Sequence, residues 1–232
     1  IVFRMNAKVQ SVKHEEDKAI VAFTDLQTNG VFELDAEAVL LATGRRPNTG
    51  GLNLEAAGVE VDARGAIIVD EYLKTINPNI RAVGDVKGGL QFTYISLDDY
   101  RIVREDLFGD KERKANDRNP VSYSVFIDPP LARIGLNEEE ARKQNLDIIV
   151  KKLPAMAIPR AKTLGEMDGL LKAIIDKNTG KILGCMLFAP DSGEVINTVA
   201  IAMKAGLDYT FLRDFIFTHP SMSEALNDLF AL

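Results

Sequence analysis

The chain has 232 residues, a formal net charge of −6 and an apolar content of 46%. This composition is typical of a soluble globular protein of one or two domains, and the acidic balance argues against binding to nucleic acid. No apolar run approaches the roughly 18 residues that a membrane span needs, so we expect no membrane segment. A single cysteine, Cys185, excludes an intrachain disulfide and favours a cytoplasmic location, and with only two histidines we predict no metal site.

Residues 1–43 have the pattern of a β-rich segment. Alternation of apolar and polar residues, with turn residues between the runs, predicts strands at 7–12, 19–24 and 30–34. The continuous apolar run at 38–42 predicts a further strand that is buried on both faces, as in a parallel sheet. Because the chain opens with Ile1 and Val2, as if inside a strand, we expect it to be a fragment of a longer protein.

Residues 44–115 mix loops with short elements. After a loop at 44–51, the pattern predicts a small helix at 54–57, strands at 66–70 and 80–85, and a helix at 96–108. The charged segment 111–119 is predicted to be a linker.

Residues 116–232 have the pattern of a separate α+β unit. Strands are predicted at 123–127 and 147–153, together with a hairpin formed by 169–176 and 181–188. Helices are predicted after the cap residue Asn137, at 192–205 with an apolar face, and at 222–229 near the end of the chain.

The octapeptide 217–224 contains the first candidate site. Pro220 suits the first position of a helix, and Ser221 with Glu224 has the spacing of a capping box. The bend before the helix could instead bring Glu224 to the imidazole of His219 and orient it for acid–base work. The residues alone leave both interpretations open.

A second candidate site follows two of the predicted strands. Asp85 comes after a strand, at the edge where open α/β sheets bind ligands, and Gly84 leaves room beside it; Asp85 could also be an ordinary turn residue. Arg45, after Gly44, could meet a phosphate group or simply be solvated. The sequence has no G-x-G-x-x-G, no P-loop and no cysteine pair, and Cys185 is expected to be a core thiol.

Four motifs, taken in order, resemble class I pyridine nucleotide–disulfide oxidoreductases. They lie at 42–48, 82–86, 135–141 and 219–224. The segments 157–161, 180–185 and 223–230 further resemble a reactive-chlorine-resistance subgroup related to mercuric reductase, for which copper(II) is a suggested electron acceptor.

The resemblance implies an α/β plus α+β fold in three parts. Residues 1–43 would be the end of an NAD(P)-binding domain, 44–115 the second half of an FAD-binding domain, and 116–232 a dimerisation domain with an antiparallel sheet. The protein would act as a homodimer through 116–232. Its parent would pass electrons from NAD(P)H through FAD and a cysteine pair, absent here, to a small-molecule disulfide or a metal ion.

The resemblance also implies roles for single residues. His219 and Glu224 match the acid–base pair, Gly44 a glycine near the nicotinamide nucleotide, Asp85 the aspartate that binds the FAD ribityl chain, and Thr93 a residue whose N–H faces the flavin. We expect this chain alone to bind FAD weakly or not at all and to lack turnover. Two alternatives stay open: a non-catalytic dimerisation module, and a flavoenzyme of the same fold without a disulfide centre.

Overall fold

The computed structural model describes residues 1–231, which divide into two compact units. The first consists of Ile1–Asp70 and Lys74–Asp98; the second consists of Glu71–Leu73 and the chain from Asp99 onward. The division falls within helix α1, Thr93–Phe108. No helix among the described residues is long and apolar enough to cross a membrane.

The first unit begins with a three-stranded antiparallel sheet. Strands β1 (Ala7–Glu15), β2 (Lys18–Asp25) and β3 (Val31–Ala36) pair in chain order. The turn after β2 forms because the carboxylate of Asp25 accepts hydrogen bonds from two backbone N–H groups that follow it. These three strands confirm the predicted β-rich start of the chain.

The predicted buried strand at 38–42 is wrong. These residues form no strand, and the side chains of Leu40 and Leu41 are 90% and 72% exposed. A continuous apolar run forms a buried strand only when other strands pair with it and other elements cover both faces. None of the ladders formed by residues 1–231 includes this run.

The rest of the first unit is largely irregular. The predicted helix at 54–57 is a hydrogen-bonded turn, and the predicted strands at 66–70 and 80–85 are replaced by two isolated bridges, Val61 to Ile67 and Lys74 to Arg81. Apolar residues of these segments are nevertheless buried: Ile67 and Ala82 pack with Val59 in a small core. Burial therefore follows the sequence pattern here, whereas ladder formation does not.

The second unit is built on a five-stranded antiparallel sheet of order β4-β5-β8-β7-β6, which confirms the α+β part of the predicted fold. The strands are β4 (Tyr123–Val125), β5 (Leu131–Gly135), β6 (Ile148–Pro154), β7 (Leu170–Asp176) and β8 (Ile182–Phe188). The sequence pattern missed β5, which is short and follows two prolines.

Besides the end of α1, the described residues of this unit form the helices α2 (Glu138–Lys143), α3 (Pro159–Leu164), α4 (Ser192–Lys204), α5 (Tyr209–Asp214) and α6 (Ala225–Phe230). Asn137 caps α2 as predicted. The predicted apolar face of α4 and one face of α6 enter a core shared with the sheet. The predicted linker contains a 3₁₀ turn, Ala115–Arg118.

Candidate functional site

The candidate acid–base pair lies in the connection between α5 and α6. Nδ1 of His219 is 2.7 Å from Oε2 of Glu224. Because an ionised carboxylate can only accept hydrogen bonds, Nδ1 is the donor and Nε2 is left as the free ring nitrogen. The His219 side chain is 72% exposed and that of Glu224 13%. The arrangement is an anchored carboxylate that holds an imidazole whose other nitrogen can meet a reactant.

Residues beside the pair explain why Glu224 reaches His219. The hydroxyl of Ser221 accepts a hydrogen bond from the N–H of Glu224 at 3.2 Å, which is half of the predicted capping box. The other half is replaced, since the Glu224 carboxylate binds the imidazole. The helix consequently begins at Ala225 rather than at the predicted Met222.

The Glu224 carboxylate is largely buried, with one of its oxygen atoms out of reach of solvent. Its Oε1 atom is buried and has no hydrogen-bond partner among the described residues. Its neighbours in sequence, Met222, Ala225 and Leu226, are all buried in the core of the second unit. Because Oε1 has no partner among the described residues and Oε2 lies at hydrogen-bond distance from Nδ1, the carboxylate favours the Nδ1–H tautomer of His219.

The sequence analysis missed Asn227, one turn beyond Glu224. Its Nδ2 lies 2.9 Å from each of three backbone carbonyl oxygens, those of Leu212, Arg213 and Phe215. An asparagine inside a short apolar helix is the signal that could have marked it, because Asn is a poor helix former and usually bonds to backbone groups.

The candidate cofactor residues lie in the first unit. A guanidinium nitrogen of Arg45 is 3.4 Å from Oδ2 of Asp85, and Asp85 lies in the 3₁₀ turn Gly84–Lys87. Both side chains are substantially exposed, so this ion pair contributes little to stability and leaves the carboxylate accessible.

Backbone geometry explains the glycines next to these two charged groups. Gly84 has a φ of 71°, and a Cβ there would lie 3.0 Å from the hydroxyl oxygen of Ser96. Gly44 has a φ of 101° with open space around it, and Thr93 is the first residue of α1. The structure therefore brings Arg45 to Asp85, which directly follows Gly84, while Gly44 and Thr93 are placed by their backbone positions alone.

Among residues 1–231, neither the cysteine nor a metal-binding cluster forms a second centre. Cys185 is buried in β8, where burial raises the pKa of its thiol to about 12, so it is a core residue. Among residues 1–231 there is no group of three or more His, Cys, Asp or Glu side chains that could hold a metal ion.

Comparison with known proteins places these features in one family. Residues 1–99 match the family model described as pyridine nucleotide-disulphide oxidoreductase, and residues 121–230 match the dimerisation domain of the same family. The chain is 52% identical over 228 residues to the probable pyridine nucleotide-disulfide oxidoreductase RclA of Escherichia coli, covering 98% of this chain and 50% of RclA. It is 37% identical over 193 residues to a mercuric reductase of Bacillus cereus, covering 83% of this chain and 30% of that protein.

Solved structures agree with this match. A copper(II) complex of RclA, described as an HOCl-induced flavoprotein disulfide reductase from Escherichia coli, has a TM-score of 0.89 over 97% of this chain and 50% of its own. The chain spans about half the length of the curated relatives it matches. Two models of one family together account for residues 1–99 and 121–230, so the chain belongs to the pyridine nucleotide-disulfide oxidoreductase family.

Proposed function

We propose that this chain is the C-terminal part of an FAD-dependent oxidoreductase that passes electrons from NAD(P)H through the flavin and a cysteine pair to a disulfide or a metal ion. The hydrogen bond between Glu224 and the exposed imidazole of His219 is the observation that carries the proposal. We assign 1–43 to the end of an NAD(P)-binding domain, 44–115 to the second half of an FAD-binding domain and 116–232 to the dimerisation domain. The single buried thiol suits a cytoplasmic protein.

His219 is the proposed acid–base group. With Nδ1 donating to Glu224, Nε2 can accept a proton from a thiol of the cysteine pair and leave the thiolate next to an imidazolium. Glu224 keeps the ring oriented and offsets its positive charge. Because this chain contains one cysteine, and that one is buried, the thiols must come from a part of the parent outside this sequence.

Asp85, with Gly84 and Arg45, is the proposed contact for FAD. A half-exposed carboxylate beside a glycine of positive φ suits an acceptor of hydrogen bonds from the hydroxyl groups of the cofactor. Gly44 and Thr93 would offer backbone groups to the nicotinamide nucleotide and to the flavin. Bound there, FAD would supply the electron transfer between NAD(P)H and the next acceptor.

The spectrum and the turnover of the parent protein test this function. We expect a yellow preparation whose flavin absorbance bleaches with NADPH or NADH and whose turnover falls by roughly 10²- to 10⁴-fold in His219→Asn. Copper(II) is the first acceptor to try, since the structure of RclA is described as a copper(II) complex. A colourless parent that does not oxidise NAD(P)H would reject the proposal.

This chain by itself is proposed to bind FAD weakly and to lack turnover, because it contains neither a G-x-G-x-x-G loop nor a cysteine pair. Titration of the purified chain with FAD, followed by flavin fluorescence, measures this directly. Sub-micromolar affinity would show that Asp85 and its neighbours suffice to hold the cofactor.

A homodimer through the second unit is proposed from its exposed apolar residues. Phe126 is 94% exposed, Ile216 92% and Phe215 47%, on a segment that matches a dimerisation domain. We expect Ile216→Asp to convert a dimer into a monomer in light scattering, whereas Asn178→Asp, at an exposed polar position in the turn between β7 and β8, should leave the dimer intact. A monomeric wild type at micromolar concentration would count against this assembly.

A further inference from the structure

We infer that Asn227 is a positioning residue that holds His219 in register with Glu224. The inference rests on the acid–base function proposed for His219, although its geometry and its test concern this chain alone. The amide of Asn227 donates to the backbone that leads to the imidazole, and no hydrogen bond among the described residues joins that amide to the imidazole or to the carboxylate.

The segment before His219 needs such an anchor. Residues 215–218 adopt no regular secondary structure, and no backbone hydrogen bond is donated by their N–H groups to another backbone group in the described chain. Phe215 and Phe217 contact each other, with ring centroids 4.9 Å apart. Apolar ring contacts tolerate sliding, so they do not fix the direction in which the following imidazole leaves the backbone.

The side chain of Asn227 supplies the missing directional contact. The carbonyl groups of Leu212 and Arg213, in the last turn of α5, have no N–H of their own helix to bind, and the carbonyl of Phe215 follows directly. One amide nitrogen lies 2.9 Å from all three oxygens, so its two hydrogens are shared among three acceptors. This amide therefore fixes the position of the last turn of α5 relative to the first residue of the connection.

The same helix carries the other half of the catalytic pair. Glu224 and Asn227 are three residues apart at the start of α6 and thus lie on the same side of the helix. Glu224 holds the ring of His219, while Asn227 holds the backbone four residues before it. Movement of α6 relative to α5 would separate Nδ1 from Oε2, and the Asn227 contacts oppose that movement.

The tautomer of His219 reports this coupling without any need for turnover. The chain has two histidines, and His14 lies exposed in β1, so His14 serves as an internal reference. At about pH 8.5, where unperturbed imidazoles are neutral, long-range ¹H–¹⁵N spectra distinguish Nδ1–H from Nε2–H. We expect His219 of the wild type to be mainly the Nδ1–H tautomer, held by Glu224.

Two substitutions test the anchor. In Asn227→Asp an oxygen replaces the donor and faces three carbonyl oxygens; Asn227→Ala removes the donor without adding charge. We expect both to lower the ratio of Nδ1–H to Nε2–H at His219 by roughly threefold to tenfold, the effect of about one lost hydrogen bond, with His14 unchanged. Asn197→Asp is the matched control, because the Asn197 amide makes one bond within α4, to Gly193.

Each outcome decides the matter. A folded Asn227→Ala chain that keeps the wild-type ratio would overturn the inference, and so would a change of equal size in Asn197→Asp. If Asn227→Ala loses the dispersed spectrum of a folded protein, Asn227 is a stability residue only, and the inference is also rejected. A shifted ratio in this chain, combined with a parent that does not oxidise NAD(P)H, would support the role of Asn227 and refute the proposed function.

Discussion

Replacing Glu224 by Gln in the parent protein removes the charge from the hydrogen bond to His219 while an oxygen acceptor stays in place. A hydrogen bond to a charged group contributes about 1.5–3 kcal/mol and a neutral one about 0.5–1.5 kcal/mol. Oε2 lies 2.7 Å from Nδ1 and the carboxylate is largely buried, so the acceptor of this bond is shielded from solvent although the imidazole is 72% exposed. We therefore expect Glu224→Gln to lose about 1–1.5 kcal/mol of transition-state stabilisation, which is roughly a 5- to 10-fold lower turnover.

The double-mutant cycle with His219→Asn isolates this coupling. If Glu224 acts only through the imidazole, its substitution should cost little once His219 is absent, so the two effects should be strongly non-additive. The assay is steady-state oxidation of NAD(P)H by the parent with its acceptor, measured for the wild type, both single variants and the double variant. Glu139→Gln is a suitable control, because the Glu139 side chain is 75% exposed and pairs with Lys143 one turn away.

An additive cycle would contradict the role of Glu224 as the partner of the imidazole. A Glu224→Gln loss of the same size in the His219→Asn background would mean that Glu224 supports the fold or another group rather than the imidazole. A Glu224→Gln variant as active as Glu139→Gln would mean that the charge on the carboxylate is unimportant.

Three further predictions concern the second unit. Hydrogen bonds from Thr179 hold the pKa of Asp176 below its ordinary value, so the stabilisation is present above about pH 4 and is lost as the pH falls through the lowered pKa. The difference in urea midpoint between wild type and Asp176→Asn should therefore close on acidification. Because burial raises the pKa of the Cys185 thiol to about 12, a thiol reagent at about pH 8 should label the chain only after unfolding. A Cβ at Gly184 would lie 1.9 Å from the carbonyl oxygen of Leu136, so Gly184→Ala should destabilise this unit by at least about 2 kcal/mol in urea unfolding.

Local patterns predicted the second unit well because its elements are made by neighbours in sequence. The hairpin of β7 and β8 is closed by Asp176, whose carboxylate accepts the N–H groups of Asn178 and Thr179, and Gly180 supplies a positive φ. Asn137 caps α2 in the same local way. Such hydrogen bonds join residues two or three positions apart, so a short stretch of sequence contains both the donor and the acceptor and predicts the bond.

In the first unit beyond β3, local sequence patterns predicted strands that do not form. The run at 38–42 has the composition of a buried strand, yet composition says only that a strand would be favourable if partners were present. Whether a ladder forms depends on residues distant in sequence. Leu40 and Leu41 are exposed in this chain because no described strand pairs with them. The small core around Ile67 formed without ladders, since burial needs contact but no register.

The octapeptide 217–224 is intermediate between the elements that local sequence predicts and those that depend on residues distant in sequence. Its residues alone favoured a capping box over an acid–base pair and left both open, because Glu224 has one carboxylate and two candidate partners, the N–H of Ser221 and the ring of His219. The choice depends on the direction in which the chain approaches α6, and three carbonyl contacts of Asn227 fix that direction from the far side of the connection. Ser221 still accepts the N–H of Glu224, so the helix keeps one cap while the carboxylate turns to the imidazole. A pattern six residues long thus acquires its chemical meaning from side-chain to backbone contacts that each span twelve to fifteen residues.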